Sequence, residues 1–304
     1  MRFELSVDQR DFAASLDSLL ASADTVGAAR AWAEGEPAPG LELWARLAEQ
    51  GLTMLATEAT PVELCVAFEA LGQHAVPGPW VESAAYLPTL LNQELEGIGT
   101  VAVPPHVPYA LDADVAEHVF VVRDEALWSA TVGARRSSVD LTRRLCEVSS
   151  VSRLAWLPPL PADVAFDLAV LATSAQLLGV GERVLADSVA YVQQRKQFGR
   201  QIGSYQAIKH ALADVRIALD FARPLVFGAA LGEIPPSAAK VACADAAYLA
   251  SRTGLQVHGA IGYTAEFDLS IWITKIRALV AAWGTPAFHR SRILSSLAEP
   301  AEAG

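Results

Sequence analysis

The sequence predicts a mainly α chain with a small β segment: an N-terminal helical domain over residues 1–97, a short β domain over 98–160 and a C-terminal antiparallel four-helix bundle over 161–304. Three observations carry this reading. From Asp163 onward, apolar residues recur at helical spacing through runs far longer than an average helix. Between residues 98 and 160, β-branched and aromatic residues fall in short runs split by prolines. The connections between the long helical runs are short, so neighbouring helices must turn back on one another.

In the first zone, Ser6 caps a helix and Gln9, three residues on, completes a capping box; Phe12, Leu16, Leu19 and Leu20 then fall at helical spacing. Trp44, Leu47 and Ala48 mark a second helix that stops at Gly51, and Val62 to Leu71 a third that stops at Gly72. Pro77-Gly78-Pro79 interrupts the pattern before a run from Val81 to Leu91.

The β zone holds Val101, Val103, Tyr109 and the run Val119-Phe120-Val121-Val122. Asp124-Glu125 fits a tight turn between Val119–Val122 and Ala126–Ala130, and Cys146 to Ser150 alternates weakly. Pro158-Pro159-Leu160-Pro161 reads as the linker that closes the zone.

The first long helix runs from Asp163 to about Gln193, with Leu168, Leu171, Ala175, Leu178, Leu185 and Val189 on one side. At 1.5 Å per residue it is roughly 45 Å long. Ser204 caps the next, which continues through Leu212, Val215 and Leu219 to about Leu231. Pro235-Pro236-Ser237 starts a third that ends near His258, and a fourth covers Glu266 to Val280. Thr285 as N-cap with Pro286 in the first turn starts the last, and the tail from Glu299 to Gly304 is expected to fray.

Composition excludes several classes. A net charge of −11 with dispersed Lys and Arg argues against nucleic-acid binding. Cys65, Cys146 and Cys243 are far apart and form no CxxC pair, so reduced buried thiols are expected; the six histidines show no ligand spacing, so no metal is. With 52% hydrophobic residues and a mean hydropathy of +0.29, yet no uncharged apolar run of about 18 residues, the excess points to heavily buried helices and burial against a partner subunit rather than to a membrane. Met1 to Leu5 leads into charged residues without the apolar core of a secretory signal, so the expected location is cytoplasmic.

Two segments can carry chemistry. Arg195-Lys196-Gln197-Phe198-Gly199-Arg200-Gln201-Ile202-Gly203-Ser204 joins the first two long helices and offers cations, two glycines and a fresh helix N-terminus, which suits a diphosphate as well as it suits an ordinary solvated turn. Gln256-Val257-His258-Gly259-Ala260-Ile261-Gly262 ends the third helix; Gly259 and Gly262 permit a backbone anion nest or a plain glycine cap. His258 reads as a packing or capping residue.

Taken together, "RKQFGRQIGSYQAIKHALADV" (Arg195 to Val215) and "QVHGAIGYTAE" (Gln256 to Glu266) resemble the C-terminal helical domain of the acyl-CoA dehydrogenase family, and Asp112 to Val122 with Asp140 to Leu145 resemble fragments of its middle β domain. The resemblance implies an acyl-CoA dehydrogenase-like fold with a truncated β domain, and FAD shared across a subunit interface. Arg195 would meet the pyrophosphate, Gln197 and Phe198 would flank it, Gln206 would face the same ligand, and Gln256, Gly259 and Ala260 would line the adenine–ribose end. Ala260 stands where the family usually has a second glycine.

The departures bear on mechanism. The family abstracts an α proton with a carboxylate while a hydride leaves for flavin. Where one branch carries that glutamate, before a Gly-Thr pair, this chain has Trp283; where another carries it, on the first long helix, the alignment gives Ala169. Asp167 is two residues away, roughly 200° around the helix, and Glu266 matches a position that is not the base. The flavin-ring loop is replaced by Pro104-Pro105-His106-Val107-Pro108, and the one Trp-Ile-Thr, Trp272 to Thr274, falls in a helix. No catalytic residue is therefore assigned. Trp283 either plugs a lost active site or walls a live pocket. The resemblance is to the short, non-catalytic subunit of α2β2 actinobacterial enzymes, whose full-length partner supplies the base, the ring pocket and most of the acyl-CoA site, and whose substrates include CoA thioesters of steroid side chains. A flavin-free scaffolding paralogue and a self-sufficient homodimer using Asp167 are the alternatives.

Overall fold

The computed structural model describes residues 4–298, so the expectations for residues 1–3 and for the tail after Ala298 lie outside the described residues. Six helices come first: α1 Val7–Ser22, α2 Thr25–Glu34, α3 Ala38–Glu49, α4 Leu55–Glu58, α5 Pro61–Gln73 and α6 Leu87–Leu91. The capping box of α1 forms as its sequence predicts, with Ser6 and Gln9 exchanging hydrogen bonds. α2 was not foreseen. Asp24 caps it and Gly35 ends it at φ +91, but its apolar face is short and rests on alanines and Trp32. α6 continues a π-helical turn, Glu82–Tyr86, which is wholly buried.

Five strands follow: β1 Gly99–Ala102, β2 Ala110–Leu111, β3 His118–Arg123, β4 Ala126–Arg136 and β5 Leu145–Trp156. They form one sheet in the order β1-β3-β4-β5-β2, with only the β1–β3 pair parallel. Asp124 and Glu125, at φ +50 and +53, make the expected tight turn between β3 and β4. A buried ion pair fixes the sheet to α2. Asp112 accepts from the Trp32 indole (3.0 Å) and the Arg144 amide (3.1 Å), and pairs with the Arg144 guanidinium (3.3 Å), which lies over the Trp32 ring.

The rest is helical: α7 Pro159–Gln194, α8 Gln206–Ala230, α9 Pro236–His258, α10 Leu269–Ala281 and α11 Pro286–Ala298, with a two-residue hairpin, β6 Lys196–Gln197 and β7 Arg200–Gln201, between α7 and α8. Two expectations are corrected here. Pro159 and Pro161 are not a linker but part of the first turn of α7, where a missing N–H costs nothing. Ser204 does not cap α8; its hydroxyl donates to the Gln201 carbonyl, and Tyr205 occupies the N-cap. Thr285 does cap α11, accepting from the Phe288 amide.

α7 is the axis of the molecule. By length and composition Pro161–Gln194 could cross a membrane, but 78% of its most apolar window is buried by its neighbours in the fold. One hydrophobic core runs without a break from α1–α6 through α7 into α8–α10. Glycine makes this possible. Gly72 is not a helix stop: it lies inside α5, where a methyl would overlap the Gln176 carbonyl of α7, while a methyl on Gly179 of α7 would overlap the Glu69 carbonyl of α5. A methyl on Gly254 of α9 would overlap the Val184 side chain of α7, and one on Gly181 of α7 would overlap the Leu219 side chain of α8 and touch Ala247 of α9. α7 and α9 run parallel, each antiparallel to α8.

Gly179→Ala tests the crossing. Helix propensity alone favours alanine by about 1 kcal/mol. A backbone overlap forces the helices apart and costs about 3 kcal/mol, so a net destabilisation is expected, read as a lower urea midpoint with an unchanged slope.

Candidate functional site

The two sequence motifs meet at one end of the bundle because α7 and α9 are parallel and end together. The Tyr191 ring, one turn from the end of α7, stacks on His258, the last residue of α9, at 4.2 Å. His258 is buried, its Nδ1 donates to the Gly254 carbonyl (2.8 Å), and burial lowers its pKa; it is a packing residue.

Beyond Tyr191 the chain turns out as the β6–β7 hairpin. Phe198 (φ +52) and Gly199 (φ +81) form its tip, and the Phe198 side chain is 91% exposed. Arg195, Lys196 and Arg200 have no carboxylate partner among the described residues; Arg200 lies over the Tyr205 ring. Gln206 opens α8 just after it. Beyond His258, Gly259 adopts φ +65, ψ −139, a conformation that only glycine takes readily, and leads into a 3₁₀ turn, Gly259–Tyr263. Nothing lies within 4 Å of where a Gly259 side chain would start. Arg195, Gln197, Phe198, Gln206, Gln256, Gly259 and Ala260 are all exposed. This end thus presents three cations without an ion-pair partner and an open glycine backbone, and among the described residues no element covers it. Such a surface fits a diphosphate.

Trp283 lies elsewhere, at the end of α10, and is 1% exposed. It has φ +56, strained for a bulky residue, and three contacts hold the turn. Lys240, fully buried, donates to the carbonyls of Leu279 (2.6 Å) and Ala282 (2.7 Å), the open end of α10. Its own pKa is pushed down to about 7 by burial. Nε2 of His289 donates to the Trp283 carbonyl (2.9 Å), and Nδ1 accepts from the Ser237 hydroxyl (3.0 Å). Arg292 joins Ser237 to Asp167, whose carboxylate it holds at 2.7 Å. The indole packs against Tyr86 (4.8 Å) and Phe166 (5.9 Å) and fills the space. Ala169 is buried within α7.

Sequence reasoning missed Glu82. Its carboxylate is 1% exposed, both oxygens lack hydrogen-bond partners, and the indole Nε1 of the neighbouring Trp283 is also without one. Burial raises its pKa and favours the neutral acid. The residue stands in the predicted run Val81 to Leu91, where nothing marks which face an acidic side chain takes once the helix widens into a π turn.

Comparison with known proteins follows from this geometry. The family description "Acyl-CoA dehydrogenase, C-terminal domain" matches residues 162–298. The acyl-CoA dehydrogenase IpdE2 of Mycobacterium tuberculosis is 30% identical over 229 residues, which cover 70% of each chain. Among solved structures, the ChsE4–ChsE5 complex of Mycobacterium tuberculosis superposes with a TM-score of 0.81 at 20% identity, over 98% of this chain and 99% of that one. The Tcur3481–Tcur3483 steroid ACAD gives 0.79 at 19%, over 97% and 99%. At such identities these two likenesses concern the fold.

The clamp on Trp283 makes stability depend on pH. Burial pushes His289 down to about 4 from an ordinary 6.5. The unfolded chain then binds more protons between those values, so this contribution is complete above pH 6.5 and is lost as pH falls toward 4. The loss is on the order of 3 kcal/mol. Urea denaturation at pH 7.5 and 4.5 is expected to show a smaller pH difference in His289→Gln than in the native chain.

Proposed function

The chain belongs to the acyl-CoA dehydrogenase family, and on that premise we propose that it is the non-catalytic subunit of a heteromeric acyl-CoA dehydrogenase. One observation carries this reading: the place of the family's base is filled by Trp283, buried and clamped, while the diphosphate-fitting end of the bundle is intact and uncovered. The remaining carboxylates near Trp283 do not substitute for the base. Asp167 is engaged by Arg292, and Glu82 is sealed from solvent.

FAD, when bound, accepts the hydride of the dehydrogenation. This chain's part is to hold its phosphate half. Arg195 neutralises the pyrophosphate, Gln197 and Phe198 flank it, and Gln206 faces it from the start of α8. Gln256, Gly259 and Ala260 receive the adenine–ribose end along an open backbone edge. The Ala260 side chain is exposed and leaves that edge unobstructed. The full-length partner supplies the base, the ring pocket and most of the acyl-CoA site, and the substrate is a CoA thioester of a bulky group such as a steroid side chain. The heteromeric and steroid-related structures with the same fold support this reading.

Co-purification with a full-length family member tests it. The expected result is a stable heteromer with dehydrogenase activity, and FAD occupancy that falls by about tenfold in Arg195→Ala and in Gln256→Ala, as for loss of a charge-assisted contact. A solitary chain that retains flavin and full activity overturns the proposal. Asp167→Ala is expected to leave turnover unchanged.

A further inference from the structure

Two arginines converge on a cavity without any acid to meet them. The other half-buried arginines among the described residues are paired, among them Arg216 with Glu182 and Asp220, Arg223 with Glu69 and Glu182, and Arg292 with Asp167, whereas Arg143 is half-buried without such a pair and Arg277 is exposed. Arg143 and Arg277 have neither an ion pair nor a side-chain hydrogen bond among the described residues, and both line an open cavity of about 410 Å³ between the sheet and α10. The Arg277 guanidinium lies over the Tyr248 ring at 4.6 Å, which orients it without neutralising it. Arg143 sits on a turn closed by its own amide donating to the Asp140 carbonyl (3.0 Å). Glu82 and Asp112, both buried, feel the Arg143 charge, but neither forms an ion pair with it.

The cavity has two characters. Its rim adds the hydroxyls of Ser137 and Ser138 to the two guanidiniums, while Ala278, Ala281 and Ala282 give it an apolar floor along α10. A second groove of about 280 Å³ shares Ser137, Ser138 and Arg143 and adds Arg135, which also lacks an ion-pair partner. Guanidinium forks and hydroxyls match carboxylate or phosphate oxygens, and small side chains leave room for an apolar body to be withdrawn from water. We propose that this cavity binds an amphipathic anion, with its carboxylate or phosphate between Arg143 and Arg277 and its apolar body on the α10 alanines. The site is built from this chain alone and does not rest on the subunit reading above.

Isothermal titration of the purified chain with octanoate and with octyl phosphate tests the site and tells the two headgroups apart. One probe is expected to bind at one site per chain, about tenfold or more tighter than acetate or inorganic phosphate, which lack the apolar body. Arg143→Ala and Arg277→Ala are each expected to weaken it by about tenfold, and Arg277→Lys by less. Arg123→Ala, which removes an exposed arginine paired with Asp124 on the β3–β4 turn, leaves the affinity unchanged. Thermal melts of the variants should lie close to that of the native chain, because neither side chain has an ion pair or a side-chain hydrogen bond to lose and Arg277 gives up only its contact with the Tyr248 ring. No binding of either octyl probe at millimolar concentration overturns the proposal. So does binding that survives in the Arg143→Ala/Arg277→Ala double variant. FAD content of a heteromer is a separate readout that these variants leave untouched.

Discussion

Where α5 crosses α7, the two backbones touch. Gly72 meets the Gln176 carbonyl, and less than a turn away Gly179 meets the Glu69 carbonyl. Any side chain at either glycine would push the helices to an ordinary separation, and the continuous core from α1 to α10 would open along α7. The same close approach brings Glu69 within reach of Arg223 on α8, so a charged network seals the edge of the apolar contact. Helix propensity is given up at both positions, and packing returns more than it costs.

The parallel packing of α7 and α9 depends on that axis. It sets Gly181 and Gly254 against the facing helix, brings both C-termini to one end, and so places the hairpin beside the glycine turn. Among the described residues, nothing covers this end. A cationic tip with a 91% exposed phenylalanine has no stabilising role within the subunit, which is why its physical purpose is sought in a ligand and a neighbour.

At the other feature, burial decides chemistry. Lys240, His289, Ser237 and Arg292 hold the end of α10 so firmly that residue 283 keeps a left-handed backbone despite its bulk. A group held this way is oriented with little freedom, as a reacting group needs to be; here the group is an indole packed on Tyr86 and Phe166. Where the sheet faces the outer side of α10, charge is instead left unpaired, at Arg143 and Arg277.

Local rules in the sequence determined the fold class, the capping box at Ser6, the Asp124-Glu125 turn, the starts of α9 and α11 and the glycine turn after His258, because each depends on a few neighbouring residues. The motifs also carried the family. Tertiary structure decided the rest. Gly72 looks like a helix stop until α7 is seen against it, and Pro159 like a linker until the helix runs through it. Glu82 and Arg143 stand 61 positions apart in sequence, and only the fold sets one, sealed, behind the other, unpaired. Local propensity is short-ranged, whereas desolvation and partnerless charge depend on what distant segments bring together.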